Sequence, residues 1–344
     1  MPAEWEPHAA TWLAWPHKSS DFPGKLSAVR WVFCEMARLL AEGERIRLLV
    51  RDARMRAEAE RALERSGVPL AKVDFVKHAT DRSWTRDYVP QIVARGARRG
   101  RERAAVKFRF NGWARYKDHR NDDAAGSAAA RFLELRTFEP VAPQSGAKVV
   151  LEGGAIDVDG EGTLLTTEEC LLDGAQARNP ELGRDGTEAV LTEYLGTTHV
   201  LWLGRGIAGD DTGGHIDDFA RFGPGGTILL AEEPRARDPN HRVLEAARER
   251  LEGARNAAGR KLELVRLPMP EPVAFDGQRL PASYANFYVG NAAVLVPTFN
   301  DPKDRVALGI LSDVFRERPV VGVHARDLVL GLGTLHCSTQ QEPR

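Results

Sequence analysis

Apolar positions along this 344-residue chain follow two different periods in turn. In AVRWVFCEMARLLAEG (28–43), Val32, Met36, Leu39 and Leu40 fall at helical spacing and predict an amphipathic helix. Residues 52–65, highly charged and ending before Gly67, predict a second. Further helices are expected at 122–135, 187–195, 240–256 and 302–316. Between them lie short β-like runs: IRLLV (46–50), VDFV (73–76), QIVA (91–94), AVKFRF (105–110), KVVL (148–151) and TLLTT (163–167). HVLWL (199–203), TILLA (227–231), LELVRL (262–267), AVLVP (293–297) and PVVGV (319–323) continue the series. Strands outnumber helices about two to one, which departs from the one-to-one alternation of a simple βαβ domain.

Bulk properties narrow the field. The composition, 42% hydrophobic and 28% charged, is that of an ordinary globular protein. Forty-eight basic and 49 acidic residues leave a net charge of −1. That balance argues against a nucleic-acid or anionic-membrane partner, which would call for a basic excess. The three cysteines, Cys34, Cys170 and Cys337, form no CxxC pair, so neither a zinc ribbon nor a disulfide scaffold is expected. MPAEWEPHAATWLAWPH lacks the basic start and apolar run of a signal peptide. No stretch reaches the ~18 apolar residues of a membrane span. A cytoplasmic location is expected. The basic run RGARRGRER (95–103) reads as a solvated hairpin between two strands rather than a phosphate site.

Four stretches depart from core-like patterning: SWTRDYVP (83–90), VLEGGAIDVDG (150–160), GIAGDDTGGHIDDFARF (206–222) and the C-terminal LHCSTQQ. The last places Cys337 in a polar turn, where a core cysteine would not sit. His215 and Asp217 are two apart and on a strand would share a face. Cys34 and Cys170 are read as core. Asp87 to Glu152 is 65 residues, Glu152 to His215 is 63, and His215 to Cys337 is 122. This is one polar cluster per module of similar length, with one slot, near Asp276 to Asn286, skipped. Five such modules around an axis would bring their strand ends to one central site. A thiol, an imidazole and the carboxylates Asp87, Glu152 and Asp217 would then share a pocket. Clustered carboxylates repel each other unless a cation sits among them. That cation is either a metal or a guanidinium, whose planar fork matches carboxylates. The thiol favours the guanidinium, because its carbon is an electrophile.

The stretches MPAEWEPHAATWLAWPH, SWTRDYVP, FNGWARY, LEGGAIDVDGEGTLLTTEECLL, RNPEL, GDDTGGHIDD, SYANFYVGN and LHCSTQQ together resemble the agmatine deiminase family. That family lies within the guanidine-modifying enzymes that include the bacterial peptidyl-arginine deiminases. The resemblance covers essentially the whole chain. It implies an α/β fold, the five-bladed β/α propeller called the pentein fold, as a single domain over residues 1–344. It also implies deimination of agmatine to N-carbamoylputrescine and ammonia. On the matching positions Cys337 is the nucleophile, His215 the general acid/base, and Asp87, Glu152 and Asp217 the acids that hold the guanidinium or orient the histidine. Trp84 lines the pocket, and Asp211, within GDDTGGHIDD, contacts substrate. No metal and no organic cofactor is implied; a homo-oligomer is. Leu332 stands where relatives carry the middle of three glycines, and an altered loop is expected there because leucine does not take a positive φ cheaply. Val89 and Gly213 also depart from the family pattern. Three alternatives stand beside this reading. One is a deiminase of peptidyl-arginine or free arginine, with Arg109, Arg115 or Lys117 meeting the α-carboxylate. Another is a metal-dependent hydrolase built on His215, Asp217 and Glu152. The last is a non-catalytic propeller that binds a cationic ligand.

Overall fold

The computed structural model describes residues 1–96, 101–143 and 145–344. One unit recurs in it: a strand, an antiparallel partner, a helix, and a third strand parallel to the second. Gln91–Arg95 and Glu102–Val106 are followed by helix Arg120–Phe132 and strand Arg136–Phe138. Asp157–Val158 and Thr163–Thr167 are followed by helix Gly183–Leu195 and His199–Leu203. Ala220–Gly223 and Thr227–Glu232 are followed by helix Pro239–Leu251 and Glu263–Pro268. Tyr288–Val289 and Val294–Thr298 are followed by helix Asp304–Val314 and Val320–His324. The remaining sheet is shared by both ends of the chain. Gln340–Pro343 lies antiparallel to His8–Ala14, helix Leu26–Leu40 leads to Arg45–Val50, and helix Ala53–Arg65 adds Val73–Lys77. The connection types follow from geometry: a tight turn joins antiparallel strands, whereas a parallel neighbour needs a crossover long enough for a helix.

Local chemistry sets the helix ends. Asp52 accepts the Met55 N–H at 2.8 Å, and Asp238 accepts that of Asn240 at 2.9 Å with Pro239 at the first helical position. Gly196 ends the helix before His199 in the left-handed conformation, φ 71°. The helix Leu26–Leu40 buries Val29, Phe33, Met36, Ala37 and Leu40 along one face. Each large apolar side chain so buried contributes roughly 1.5–3 kcal/mol.

The long helices and most of the longer strands lie within a few residues of where periodicity places them; periodicity does not mark the seven-residue strand His8–Ala14. Two predicted strands change. AVKFRF ends as a strand at Val106, because the chain leaves Arg136–Phe138 and Arg109 bridges to Val150 instead. KVVL forms only isolated bridges. The basic run 95–103 begins and ends in paired strands, as a hairpin requires; its residues 97–100 lie outside the described residues. The first strand of most units has no counterpart in the periodicity. These strands are only two to four residues long and carry no alternation.

Close approach of elements depends on Gly126, in the helix Arg120–Phe132. A Cβ there would meet the Tyr88 carbonyl oxygen at 2.0 Å. Gly126→Ala is therefore expected to lower the unfolding free energy by about 1–3 kcal/mol through overpacking, despite the better helix propensity of alanine. Urea denaturation measures it, and a neutral or stabilising outcome would contradict this packing.

Candidate active site

Each unit delivers polar side chains from the segment just ahead of its first strand. Asp87 lies on the short helix Thr85–Tyr88, Glu152 precedes the turn Gly153–Ala155, and His215 and Asp217 flank the start of the turn Ile216–Asp218. Asn286 precedes Tyr288–Val289, and Cys337 precedes Gln340–Pro343. Asn286 occupies the slot the spacing skipped. His215 and Asp217 share a site as expected, though they sit on a 3₁₀ turn rather than a strand.

These side chains converge. The His215 ring places Nδ1 4.0 Å from Asp87 Oδ1 and 3.9 Å from Asp217 Oδ1, and Nε2 4.0 Å from Glu152 Oε2. Cys337 Sγ accepts a hydrogen bond from Asn286 Nδ2 at 3.1 Å and lies 3.7 Å from Asp217 Oδ2. Asp87 accepts from Trp113 Nε1 at 2.9 Å and from the Gly154 N–H at 3.0 Å. Gly154 is required here: a Cβ would meet His215 Nδ1 at 2.5 Å. A cavity of about 490 Å³ opens above the cluster. Cys337, Asp87, Trp84 and Trp113 form its floor, and Asp211 and Leu332 lie among its walls. Glu152, His215 and Asp217 are fully buried beside that floor.

Two expectations need correction. Glu152 does not bond His215; both its oxygens accept from Arg178 Nε, at 2.9 and 3.1 Å, so its charge is matched by a buried guanidinium. Leu332 does adopt the left-handed conformation, φ 67° and ψ 28°, so the glycine-like turn before Cys337 is kept at a steric cost of roughly 1–2 kcal/mol. Its side chain packs against the main core at the cavity wall. Cys170 is buried as predicted, yet it is not remote. Its sulfur belongs to a group with Glu152 and His215 whose donor atoms lie within 4.8 Å of one another. A second such group joins Asp217, Asp218 and Cys337. His215, Asp217 and Glu152 do not form one donor set, and Arg178 already occupies Glu152, which weighs against the metal-dependent alternative. Four participants were missed: Arg178, Asn286, His336 and Glu4. All lie inside the motif stretches, but a buried polar residue in a motif carries no mark of which partner it meets.

Burial and charge set the protonation states. Burial, with Asp217 and Glu152 nearby, raises Asp87 to about 6, although His215 and the Trp113 hydrogen bond oppose this. Burial alone would lower His215, but Asp87, Cys170 and Asp217 outweigh it and hold the imidazole well above its ordinary value. Burial and the acids Asp217, Asp218 and Asp87 push the Cys337 thiol well up. In the free protein, then, this is a protonated thiol beside an imidazolium, in a pocket that lacks one compensating cation.

Proteins of this fold include enzymes acting on guanidino groups. The chain superposes on the agmatine deiminase of Enterococcus faecalis with a TM-score of 0.89 at 28% identity, covering 100% of this chain and 95% of that one. On a cysteine-to-serine agmatine deiminase of C. jejuni with substrate bound, the TM-score is 0.85 at 30% identity, covering 100% and 96%. The chain belongs to the family of Porphyromonas-type peptidyl-arginine deiminases, which it matches over residues 1–343. It is also 37% identical to the agmatine deiminase of Stutzerimonas stutzeri (strain A1501), over 100% of this chain and 95% of that protein. No helix among the described residues is long and apolar enough to cross a membrane.

The raised thiol has a direct consequence. Alkylation of Cys337 by iodoacetamide at pH 7.5 is expected to run at least about tenfold slower than that of free cysteine and to keep rising beyond pH 9. Mass analysis of the Cys337 peptide measures it. A fast, pH-independent reaction would show a thiolate already formed.

Proposed function

We propose that this protein deiminates agmatine, taking agmatine and water to N-carbamoylputrescine and ammonia. The observation that carries the reading is Cys337 Sγ on the floor of a cavity beside Asp87, with Asp217 and an imidazolium His215 at hand. In this reading five units stand about a pseudo-fivefold axis as a single propeller-like domain, and the site lies where their leading strands begin.

The guanidinium docks with Asp87 on one side and the unpartnered Asp217 Oδ1 on the other. Its charge is the missing cation, and with it in place the Cys337 thiol gives up its proton to solvent and becomes the thiolate. The sulfur forms a bond to the guanidinium carbon, giving a tetrahedral adduct. His215 gives a proton to the departing nitrogen, and ammonia leaves a thiouronium that still carries the substrate tail. The now neutral His215 takes a proton from water, whose oxygen bonds to the same carbon. The C–S bond breaks, the hydroxyl proton of the adduct passes to the departing sulfur, and the neutral ureido product is released as the thiol is restored.

The cavity walls support a tail bearing an amine rather than an α-carboxylate. Arg109, Arg115 and Lys117 are exposed, and none of the three lines the cavity. Of the cations that do, Arg82 is bonded to Asp118 at 3.0 Å and Lys18 is paired with the same residue. Asp211 is a partly buried carboxylate that accepts from the Tyr116 hydroxyl and can face a primary ammonium. Polyamine synthesis is a fitting context for such a product.

Ammonia release from agmatine, arginine and a peptidyl-arginine tests this together with Cys337→Ala. Agmatine is expected to be the best substrate, and the variant to lose about 10³-fold or more of the activity. Residual turnover within tenfold would remove Cys337 as nucleophile, and preferred turnover of arginine would overturn the assignment of substrate. The pH profile of kcat/KM gives a second test. Asp87 must be ionised to hold the guanidinium and protonates near 6. Activity is therefore expected to fall on acidification with a midpoint near that value, since kcat/KM reports groups of the free enzyme. An acid limb near 4 would mean that Asp87 does not titrate as its surroundings imply.

A further inference from the structure

The two oxygens of Asp217 have different surroundings. Oδ1 has no hydrogen-bond partner. Oδ2 lies 2.6 Å from His336 Nδ1, and the other nitrogen of that ring, Nε2, lies 2.8 Å from Glu4 Oε2. All three side chains are buried. Glu4 is itself anchored: Arg86 Nη2 and Arg221 Nη2 each approach it at 3.0 Å, and the Val289 N–H donates to it at 2.9 Å.

Counting protons restricts this chain of contacts. A neutral imidazole has one N–H and one lone pair, whereas an ionised carboxylate only accepts. Two nitrogen–oxygen contacts this short need a proton in each, so either the ring is doubly protonated or a carboxyl holds the second proton. Burial would favour the protonated carboxyl in both acids, but Arg221, His336 and Arg86 hold Glu4 well below the usual range, and His336 with His215 holds Asp217 below it. The second proton therefore falls to the ring. Asp157 is a further acid near it, the protonated thiol of Cys337 follows it in the chain, and the Arg86 side chain also reaches the His336 carbonyl oxygen at 3.4 Å.

We propose that Glu4 and His336 form a positioning relay: Glu4 fixes His336 as an imidazolium, which keeps Asp217 ionised and aims its free Oδ1 at the substrate cation. This rests on the reading of the cavity as a guanidinium site. Neither residue touches the substrate. Both act through Asp217, which would otherwise share its buried surroundings with Asp87, Asp218 and Glu152 and take up a proton.

The test uses ¹⁵N-histidine-labelled wild type, with His336 assigned through its backbone, beside the variants His336→Gln and Glu4→Gln. In the wild type the His336 ring is expected to carry protons on both nitrogens, and in Glu4→Gln at the same pH to become neutral. In kinetics the acid limb of kcat/KM is expected to move up by roughly one pH unit in both variants, because Asp217, its cation weakened, then takes up a proton before Asp87 does and replaces it as the group that sets the limb. KM for agmatine should rise roughly tenfold, more than kcat falls. Glu4→Asp should restore the limb in part. A purely structural role would lower the folded fraction without moving the limb. A neutral His336 in the wild type overturns the relay even if neither variant folds, and an unmoved limb in folded variants does the same. Failure of the wild type to turn over agmatine would instead sink the reading of the cavity, leaving the ring measurement to decide the relay.

Discussion

The structure depends on how buried acids are matched with cations. Glu4, Asp87, Glu152, Asp157, Asp217 and Asp218 are all buried near one another. A buried carboxylate without a partner costs several kcal/mol or takes up a proton. Arg178 serves Glu152, Arg221 serves Glu4 and Asp157, and Arg86 also serves Glu4. Among the described residues Asp87 has no arginine, and Asp217 leaves one oxygen unpartnered. The deficit lies where the cavity ends. A site arranged in this way holds a flat cation because it is short of one. The same deficit raises the Cys337 thiol, so in the proposed reaction affinity and nucleophile activation have one origin.

The fold supplies this arrangement by repetition. The residues just before the first strand of each unit are brought together from distant parts of the sequence. The glycines of Gly153-Gly154 let the chain pass close to Arg86 and His215; a side chain at either position would collide with them. Leu332 holds a conformation that glycine would adopt without strain, and in exchange presents an apolar side chain to the cavity wall.

Legibility from sequence divides along physical lines. The helix Leu26–Leu40 and the strand Thr163–Thr167 follow from periodicity, because the helix buries one face and the strand is wholly enclosed. The leading strands escaped because Asp157–Val158 and Tyr288–Val289 are two residues long, too short for any period. Regular spacing brought Asp87, Glu152, His215 and Cys337 to one place and marked a vacant slot that Asn286 fills. It could not show that Glu152 belongs to Arg178, nor that Glu4 reaches His336 from the far end of the chain. Such pairings are decided by side-chain direction in three dimensions, and one-dimensional order carries no trace of it.

The pairing of His8–Ala14 with Gln340–Pro343 has a kinetic corollary. The turn bearing Cys337 is held against its neighbours by a strand from the opposite end of the polypeptide, and such a contact forms late, after the large entropy of closing the intervening loop has been overcome. Catalytic competence should thus be the last property this chain acquires as it folds, and the first to vanish when its two ends separate.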